Sequence, residues 1–235
     1  MYSFNTTVRY SEVGVDGTTP LSTIINYFQD CSTSQSESLG QGIATLMERN
    51  KGWFLTAWQI NVNRFPELGE EIIVGTWPHS FKGFYGERNF VIYDANHELL
   101  AVANTLWALV SLETGHPTKI TLEDQQGYDL EERFDMKYLP RKIEMPETYE
   151  TYEAFRVRKC NLDTNNHVNN AQYILMAEEY LPEGVIIKHM RTEYKKSAVY
   201  NDVVVPNVAR LDDKYVIQLS DQDGNVYAIV EFVTQ

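Results

Sequence analysis

The feature that most constrains this chain is that it carries one unit twice. Residues 15 to 28, VDGTTPLSTIINYF, lie on residues 162 to 175, LDTNNHVNNAQYIL, without a gap, which sets Asp16 on Asp163, Thr18 on Asn165, Pro20 on His167 and Leu21 on Val168. GEEIIV at 69 to 74 then matches YNDVVV at 200 to 205, and VIYDANHELLAVA at 91 to 103 matches QLSDQDGNVYAIV at 218 to 230. Three matches in one order mark a duplicated supersecondary unit. The fold is therefore one that half of the chain can build.

Each copy reads as a strand, a turn, a helix and a run of strands. In the first, Thr19 followed by Pro20 is the pattern of an N-cap and a first-turn proline, and Leu21, Ile24, Ile25 and Phe28 form an apolar helical stripe, so a helix is predicted from about residue 20. A short helix is predicted over 42 to 50. FLTAWQINVNRF, EEIIVGTWPHSF, YGERNFVIYDA and ELLAVANTLWALVSL follow as strands separated by turn signals. In the second copy the helix is predicted to start within 166 to 170 and to end before Pro182, with strands near 185 to 198, 202 to 210, 213 to 221 and 226 to 234. Residues 119 to 150, charged and holding Pro140 and Pro146, read as the linker between an N-terminal domain (1 to 118) and a C-terminal one (151 to 235). A long helix before antiparallel strands, twice over, predicts an α+β architecture of two long helices, each wrapped by a sheet.

Charge narrows the function classes. Twenty Lys and Arg against 33 Asp and Glu leave a net charge of −13, which argues against a nucleic-acid surface, since phosphate binding draws on clustered cations. Two basic clusters stand out, Arg156, Arg158 and Lys159, and Lys188, Arg191, Lys195 and Lys196; each also fits a solvated strand face. No apolar run approaches the ~18 residues of a membrane span. The opening MYSFNTTVRYSEVG alternates like a strand and lacks the regions of a signal peptide, so a cytoplasmic protein is expected. Cys31 and Cys160 lie outside any CxxC spacing; both are expected as buried apolar fillers, and neither a metal nor another cofactor is expected.

The chemistry concentrates in NLDTNNHVNNAQY, residues 161 to 173, where one aspartate, one histidine and four asparagines precede a helix. A turn needs only one or two such residues. Two readings compete: Asp163 and Asn166 shape the turn, with Asn169 and Asn170 capping the helix, or the surplus performs a reaction. Aligned without a gap, the first copy makes the same turn from Thr18, Thr19 and Pro20, so the fold does not demand His or Asn there, which favours chemistry. Helix-start amides such as those of Val168 and Asn169 are candidate donors to a developing oxyanion. His167 is placed to bind a carbonyl or carry a proton, Asp163 to polarise a water or attack, and Asn165 to position either. Tyr173 and Glu179 stay outside this set, the first as helix packing. Trp53, Trp58, Trp77 and Trp107 could line an apolar tunnel, and core packing suits each of them at least as well.

With motif and duplication together, the chain resembles the acyl-acyl carrier protein thioesterase family, whose members are double hot-dog proteins. In WQINVNRFPELGEEIIVGTW the residues Trp58, Asn61, Arg64, Phe65, Pro66, Gly69, Thr76 and Trp77 resemble the family's first-half tract, and DTNNHVNNAQY fits its Asp-x-Asn-x-His-Val-Asn-Asn-x-x-Tyr. The resemblance implies two hot-dog units with continuous sheets, the acyl chain held largely by the first. It implies hydrolysis of a fatty acyl thioester on acyl carrier protein at Asp163, Asn165 and His167. One departure stands out: plant members carry a Glu-Cys pair after Glu-Tyr-basic-basic, whereas here EYKK (193 to 196) leads into Ser197 and Ala198, so water or a carboxylate must attack. Acyl carrier proteins are acidic, and Lys188, Arg191, Lys195 and Lys196, on the strand leading to that segment, are the expected docking residues. An acyl-CoA thioesterase and a non-catalytic acyl-binding protein are the alternatives; a hydratase fits less, because its resembling motif spaces Asp and His five apart. The duplication supplies two units within one chain, so monomer and homodimer are both allowed.

Overall fold

The computed structural model describes residues 1–163 and 165–235. They divide into two compact units, one of Met1–Thr56 and Val62–Tyr138, the other of Ala57–Asn61 and Leu139–Gln235.

The first unit begins with β1 (Tyr2–Thr7), followed by α1 (Leu21–Ser38), a short α2 (Ile43–Glu48), β2 (Lys51–Val62, whose residues 57 to 61 count with the second unit), β3 (Glu71–Lys82), β4 (Tyr85–Asp94) and β5 (Leu99–Ser111). β1 pairs antiparallel with β3, β3 with β4 and β4 with β5. The predicted stripe of α1 is the buried one: Leu21, Ile24, Ile25, Phe28 and Cys31 are inaccessible, Phe28 sits against Phe90 at 5.1 Å between ring centres, and the Cys31 thiol points at the Val74 carbonyl. Burial pushes that thiol up to about 12, so it stays protonated and inert. Pro20, not Thr19, stands at the cap of α1; the Thr19 hydroxyl is buried without a hydrogen bond, and only its backbone amide is used, toward Pro66 O at 2.8 Å. Gly40, with φ +67, ends the helix, because its left-handed turn returns the Gln41 amide to Ser36 O.

The second unit holds two short pieces, β6 (Glu150–Thr151) and β7 (Phe155–Arg156), then α3 (Asn170–Glu178), β8 (Ile187–Tyr194), β9 (Val203–Arg210), β10 (Lys214–Ser220) and β11 (Val226–Thr234). Ala57–Asn61 pair with β8, β8 with β11, β11 with β10, β10 with β9 and β9 with β6, all antiparallel. The α+β class and the strand runs read from the sequence are present. The pair of long helices is not: α1 has 18 residues and α3 nine. Pro182 explains the difference, because it disfavours helical backbone at Leu181 and lacks the N–H that would extend the ladder, so the chain leaves the helix in turns at Tyr180 and Leu181.

Residues 119 to 150, read as a linker, lie on both units. Phe134 and Met136 pack on the buried Trp77, Val91 and Val102, the Trp77 indole donates to Glu132 O at 2.9 Å, and Tyr138 donates to Asn89 Oδ1 at 3.1 Å. Beyond the unit boundary, Ile143 and Met145 pack with Ala209, Val216 and Ile229. Of the tryptophans, Trp58 and Trp77 are buried, Trp53 lies against Phe81, and Trp107 donates to the Thr105 hydroxyl. Cys160 departs from expectation: it is exposed.

Candidate active site

The motif forms a tight turn stitched at both ends. The Asp163 amide donates to His167 O at 2.8 Å and the Asn166 amide to Asp163 O at 3.1 Å, with Asn166 in the left-handed region at φ 59, where asparagine is among the residues best tolerated. One oxygen of the Asp163 carboxylate, Oδ1, accepts the amides of Asn165 at 2.7 Å and His167 at 3.2 Å. Among the described residues, Oδ2, the Asn165 side chain and the His167 ring take no hydrogen bond, so all three present open polar atoms from one turn of five residues. Oδ1 of Asp163 thus builds the turn while Oδ2 stays open, so the two readings that the sequence set against each other do not exclude one another.

The turn is held from outside by a second loop. His167 bridges antiparallel to Val199, and the Val168 amide donates to Ala198 O at 2.9 Å. The buried Ala198 amide donates to the Tyr173 hydroxyl at 2.8 Å, and Tyr194 donates to Asn170 O at 3.0 Å. Burial pushes Tyr173 up to about 12 and Tyr194 well above the ordinary tyrosine value, so both stay neutral. Sequence reasoning put Tyr173 down to packing, and it does anchor α3, through the loop that follows EYKK. Ala198 contributes its backbone alone, so no sulfur stands at that position. Nothing local in the sequence signals these contacts, because each joins residues more than twenty apart.

The expected oxyanion donors do not survive. The Val168 amide goes to Ala198 O and the Asn169 amide to Asn161 O at 2.9 Å, so neither can turn to a substrate. Asn169 is instead the N-cap of α3, its side chain accepting the Ala171 amide at 2.9 Å, while the Gln172 amide goes to Asn169 O. That leaves the Asn170 amide as the helix-start N–H without a partner among the described residues.

The structure also divides the expected docking cations. Arg191, its side chain 13% exposed, is neutralised by Glu231 at 2.8 Å and donates to Pro140 O, so it belongs to the interior. Lys195 pairs with Glu193 at 3.4 Å and Lys196 with Asp221 at 3.2 Å, whereas Lys188 is half-buried and has no ion pair among the described residues. Glu179, the C-cap of α3, is exposed and has no ion pair among the described residues either. No group of three or more His, Cys, Asp or Glu that could hold a metal occurs among the described residues.

The sequence profile of the acyl-ACP thioesterase N-terminal domain matches residues 1–128, and that of the C-terminal domain matches 144–232. The chain is 28% identical over 232 residues, 90% of its length, to a chloroplastic acyl-[acyl-carrier-protein] hydrolase of Cuphea viscosissima, and 25% identical over 220 residues, 84% of its length, to oleoyl-acyl carrier protein thioesterase 2 of Arabidopsis thaliana. It spans only 56% and 59% of those proteins' lengths. Among solved structures, an acyl-ACP thioesterase from Bacteroides thetaiotaomicron superposes with a TM-score of 0.89 at 19% identity, covering 99% of this chain and 97% of that one. A 12:0-ACP thioesterase from Umbellularia californica gives 0.88 at 20%, covering 100% and 96%. At such identities the likeness is one of fold, which is of the hot-dog type.

Proposed function

The chain belongs to the acyl-ACP thioesterase family, both of whose domains it contains, and we propose that it hydrolyses the thioester joining a fatty acyl group to the phosphopantetheine arm of acyl carrier protein. The observation that carries this reading is the turn at 163 to 167, which leaves a carboxylate oxygen, a carboxamide and an imidazole open together.

A thioester is already activated, because sulfur donates weakly into the carbonyl and thiolate leaves readily. Catalysis then needs an oriented nucleophile and a place for negative charge. Asp163 Oδ2 takes a proton from a water held by the Asn165 carboxamide, and the oxygen of that water bonds to the carbonyl carbon. Charge gathers on the carbonyl oxygen, where the Asn170 amide and the positive end of α3 oppose it. The carbon–sulfur bond breaks, and the leaving sulfur takes a proton from His167, releasing free acid and the carrier thiol; the proton that Asp163 took from water then returns through solvent to His167 and closes the cycle. No cysteine is needed, in keeping with Ala198. The first unit as holder of the acyl chain, and a cytoplasmic setting, belong to the same proposal; among the described residues no helix is long and apolar enough to cross a membrane.

The test is release of free thiol from acyl-ACP, acyl-CoA and acyl-pantetheine. Release from acyl-ACP at a kcat/KM above that for acyl-CoA supports the reading. Tight acyl binding without turnover of any of the three would make this an acyl-binding protein instead.

A further inference from the structure

We propose that Arg156, Arg158 and Lys159 form the surface on which an acidic carrier domain docks to present its thioester arm to the 163 to 167 turn; this rests on the thioesterase reading above. The first support is which charges are left uncancelled. In the second unit Arg141 and Lys195 face Glu193, Lys142 faces Glu144, Arg191 and Lys214 face Glu231, and Lys196 faces Asp221. Among its described residues only Arg156, Arg158, Lys159, Lys188 and Arg210 have no carboxylate partner, and the first three stand together, all exposed. In a chain of net charge −13, three adjacent free cations are a local inversion of sign.

The second support is the internal control that the duplication provides. In the first copy the 3-10 turn Tyr10–Glu12 follows Arg9, and Glu12 accepts the Arg9 amide at 2.7 Å while facing its guanidinium at 3.8 Å. In the second copy the 3-10 turn Lys159–Asn161 follows Arg158, and Asn161 Oδ1 accepts the Arg158 amide at 2.8 Å. The backbone bond is kept, but an amide has replaced the carboxylate. A carboxylate accepts such a bond at least as well, so this bond does not require the change. Its effect is to free the Arg158 charge.

The third support is place. Asn161 O receives the Asn169 amide at 2.9 Å and Asn161 Nδ2 donates to Gln172 Oε1 at 2.8 Å, pinning the patch to the first turn of α3. On its other side Lys159 lies over the Tyr200 ring at 5.6 Å and Arg156 donates to Asn201 O at 2.9 Å, so the cations border the loop that bridges to His167. The one carboxylate in that loop, Asp202, is engaged with the Val199 amide at 3.0 Å and the Tyr227 hydroxyl at 3.3 Å. An acidic carrier docked here sets its arm down beside the open atoms of the turn. Exposed cations of this kind act chiefly on encounter, and salt weakens them.

The experiment compares wild type with Arg158→Glu/Lys159→Glu, with Asn161→Asp and with Lys195→Glu/Lys196→Glu, each checked for unchanged thermal unfolding. Kinetics on acyl-ACP and acyl-pantetheine are read at low and moderate salt. For the first variant the KM for acyl-ACP rises at least about tenfold with little change in kcat, the ratio of kcat/KM between the two substrates falls alike, and the salt dependence of wild type flattens. Asn161→Asp, which restores the first copy's carboxylate, gives a smaller rise of about threefold, and the paired lysines give less still. Equal losses on both substrates, or no loss on either, overturn the proposal. So does a loss confined to acyl-CoA, which would assign the patch to that carrier's phosphates. Should wild type hydrolyse no thioester at all, the thioesterase reading fails; binding of fluorescently labelled holo-carrier to wild type and variants then tests the docking surface independently.

Discussion

The turns at 14 to 18 and 163 to 167 are one piece of backbone carrying different side chains. In each, the first residue accepts from the fourth and donates to the carbonyl of the fifth: Gly14 with Gly17 and Thr18, Asp163 with Asn166 and His167. Each has its fourth residue left-handed, Gly17 at φ 79 and Asn166 at φ 59, and each helix begins three residues after the fifth. The fifth residue bridges to Glu67 in one copy and to Val199 in the other. His167 therefore corresponds to Thr18, and Asp163 to Gly14, two residues away from the pairing that the gapless alignment suggests. That alignment set Asp on Asp, but the two carboxylates cap the same kind of amide from different places. Asp16 reaches the Thr18 amide at 3.0 Å and hydroxyl at 2.8 Å from the third position, whereas Asp163 reaches the His167 amide from the first. The comparison teaches that the backbone is satisfied equally by Gly-x-Asp-Gly-Thr. The imidazole, and the carboxylate oxygen that Asp163 leaves open, are additions that the fold does not ask for.

The largest effect should come from removing those additions. His167→Ala should lower kcat/KM for acyl thioesters by at least about tenfold without moving the unfolding temperature, while Thr18→Ala in the matching place should leave the rate near that of wild type. Equal rates for His167→Ala and wild type would reduce the second turn to a copy of the first. Asp163 separates its two jobs by substitution. Asp163→Asn keeps an acceptor for the two amides and should lose rate by a similar factor with little loss of stability, whereas Asp163→Ala should also destabilise by about 1 kcal/mol. A stable, fully active Asp163→Asn would remove the carboxylate from the reaction.

Next in size is a pH effect at Asp16. The Thr18 amide and hydroxyl hold its carboxyl below the usual carboxylate range, so the charged form is favoured by folding. Its contribution is present above the ordinary aspartate value and is lost as pH falls through the lowered one. Asp16→Asn should therefore unfold at a lower temperature than wild type at pH 7, and the gap should close toward pH 3, with thioester hydrolysis retained throughout. A gap that stays constant with pH would remove the charge from the account. The smallest effect is expected at the cysteines: Cys160→Ser should hydrolyse acyl-pantetheine within about twofold of wild type, since a nucleophilic sulfur at either cysteine has no place in the proposed chemistry. Loss of all turnover would point to covalent catalysis through Cys160.

Much of this was legible in the chain. The apolar stripe of Leu21, Ile24, Ile25 and Phe28 set α1, alternation set the strands to within a few residues, and the density of polar side chains at 161 to 173 marked the turn. The VIYDANHELL and QLSDQDGNVY match also held in register, because Asp94 and Asp221 each accept the amides two and four residues on. These are local features: helical period, strand period and Asx capping act within a few residues, so composition and spacing suffice to specify them.

What the tertiary structure alone decided was which groups remain free. Val168 and Asn169 looked like open helix-start amides, yet their partners are Ala198 and Asn161; Arg191 looked like a surface cation, yet it faces Glu231 across the β8 and β11 pairing. Lys196 finds Asp221 in the same non-local way, while among the described residues the equally basic Arg158 finds no acid. A donor or a charge is available for function only if nothing nearer satisfies it, and the nearest partner in space is set by strand register and loop packing. The sequence determined what each group can do, through its chemistry and its local backbone; the fold, by bringing distant acceptors within three ångströms of some donors and not others, determined which of them are left to do it.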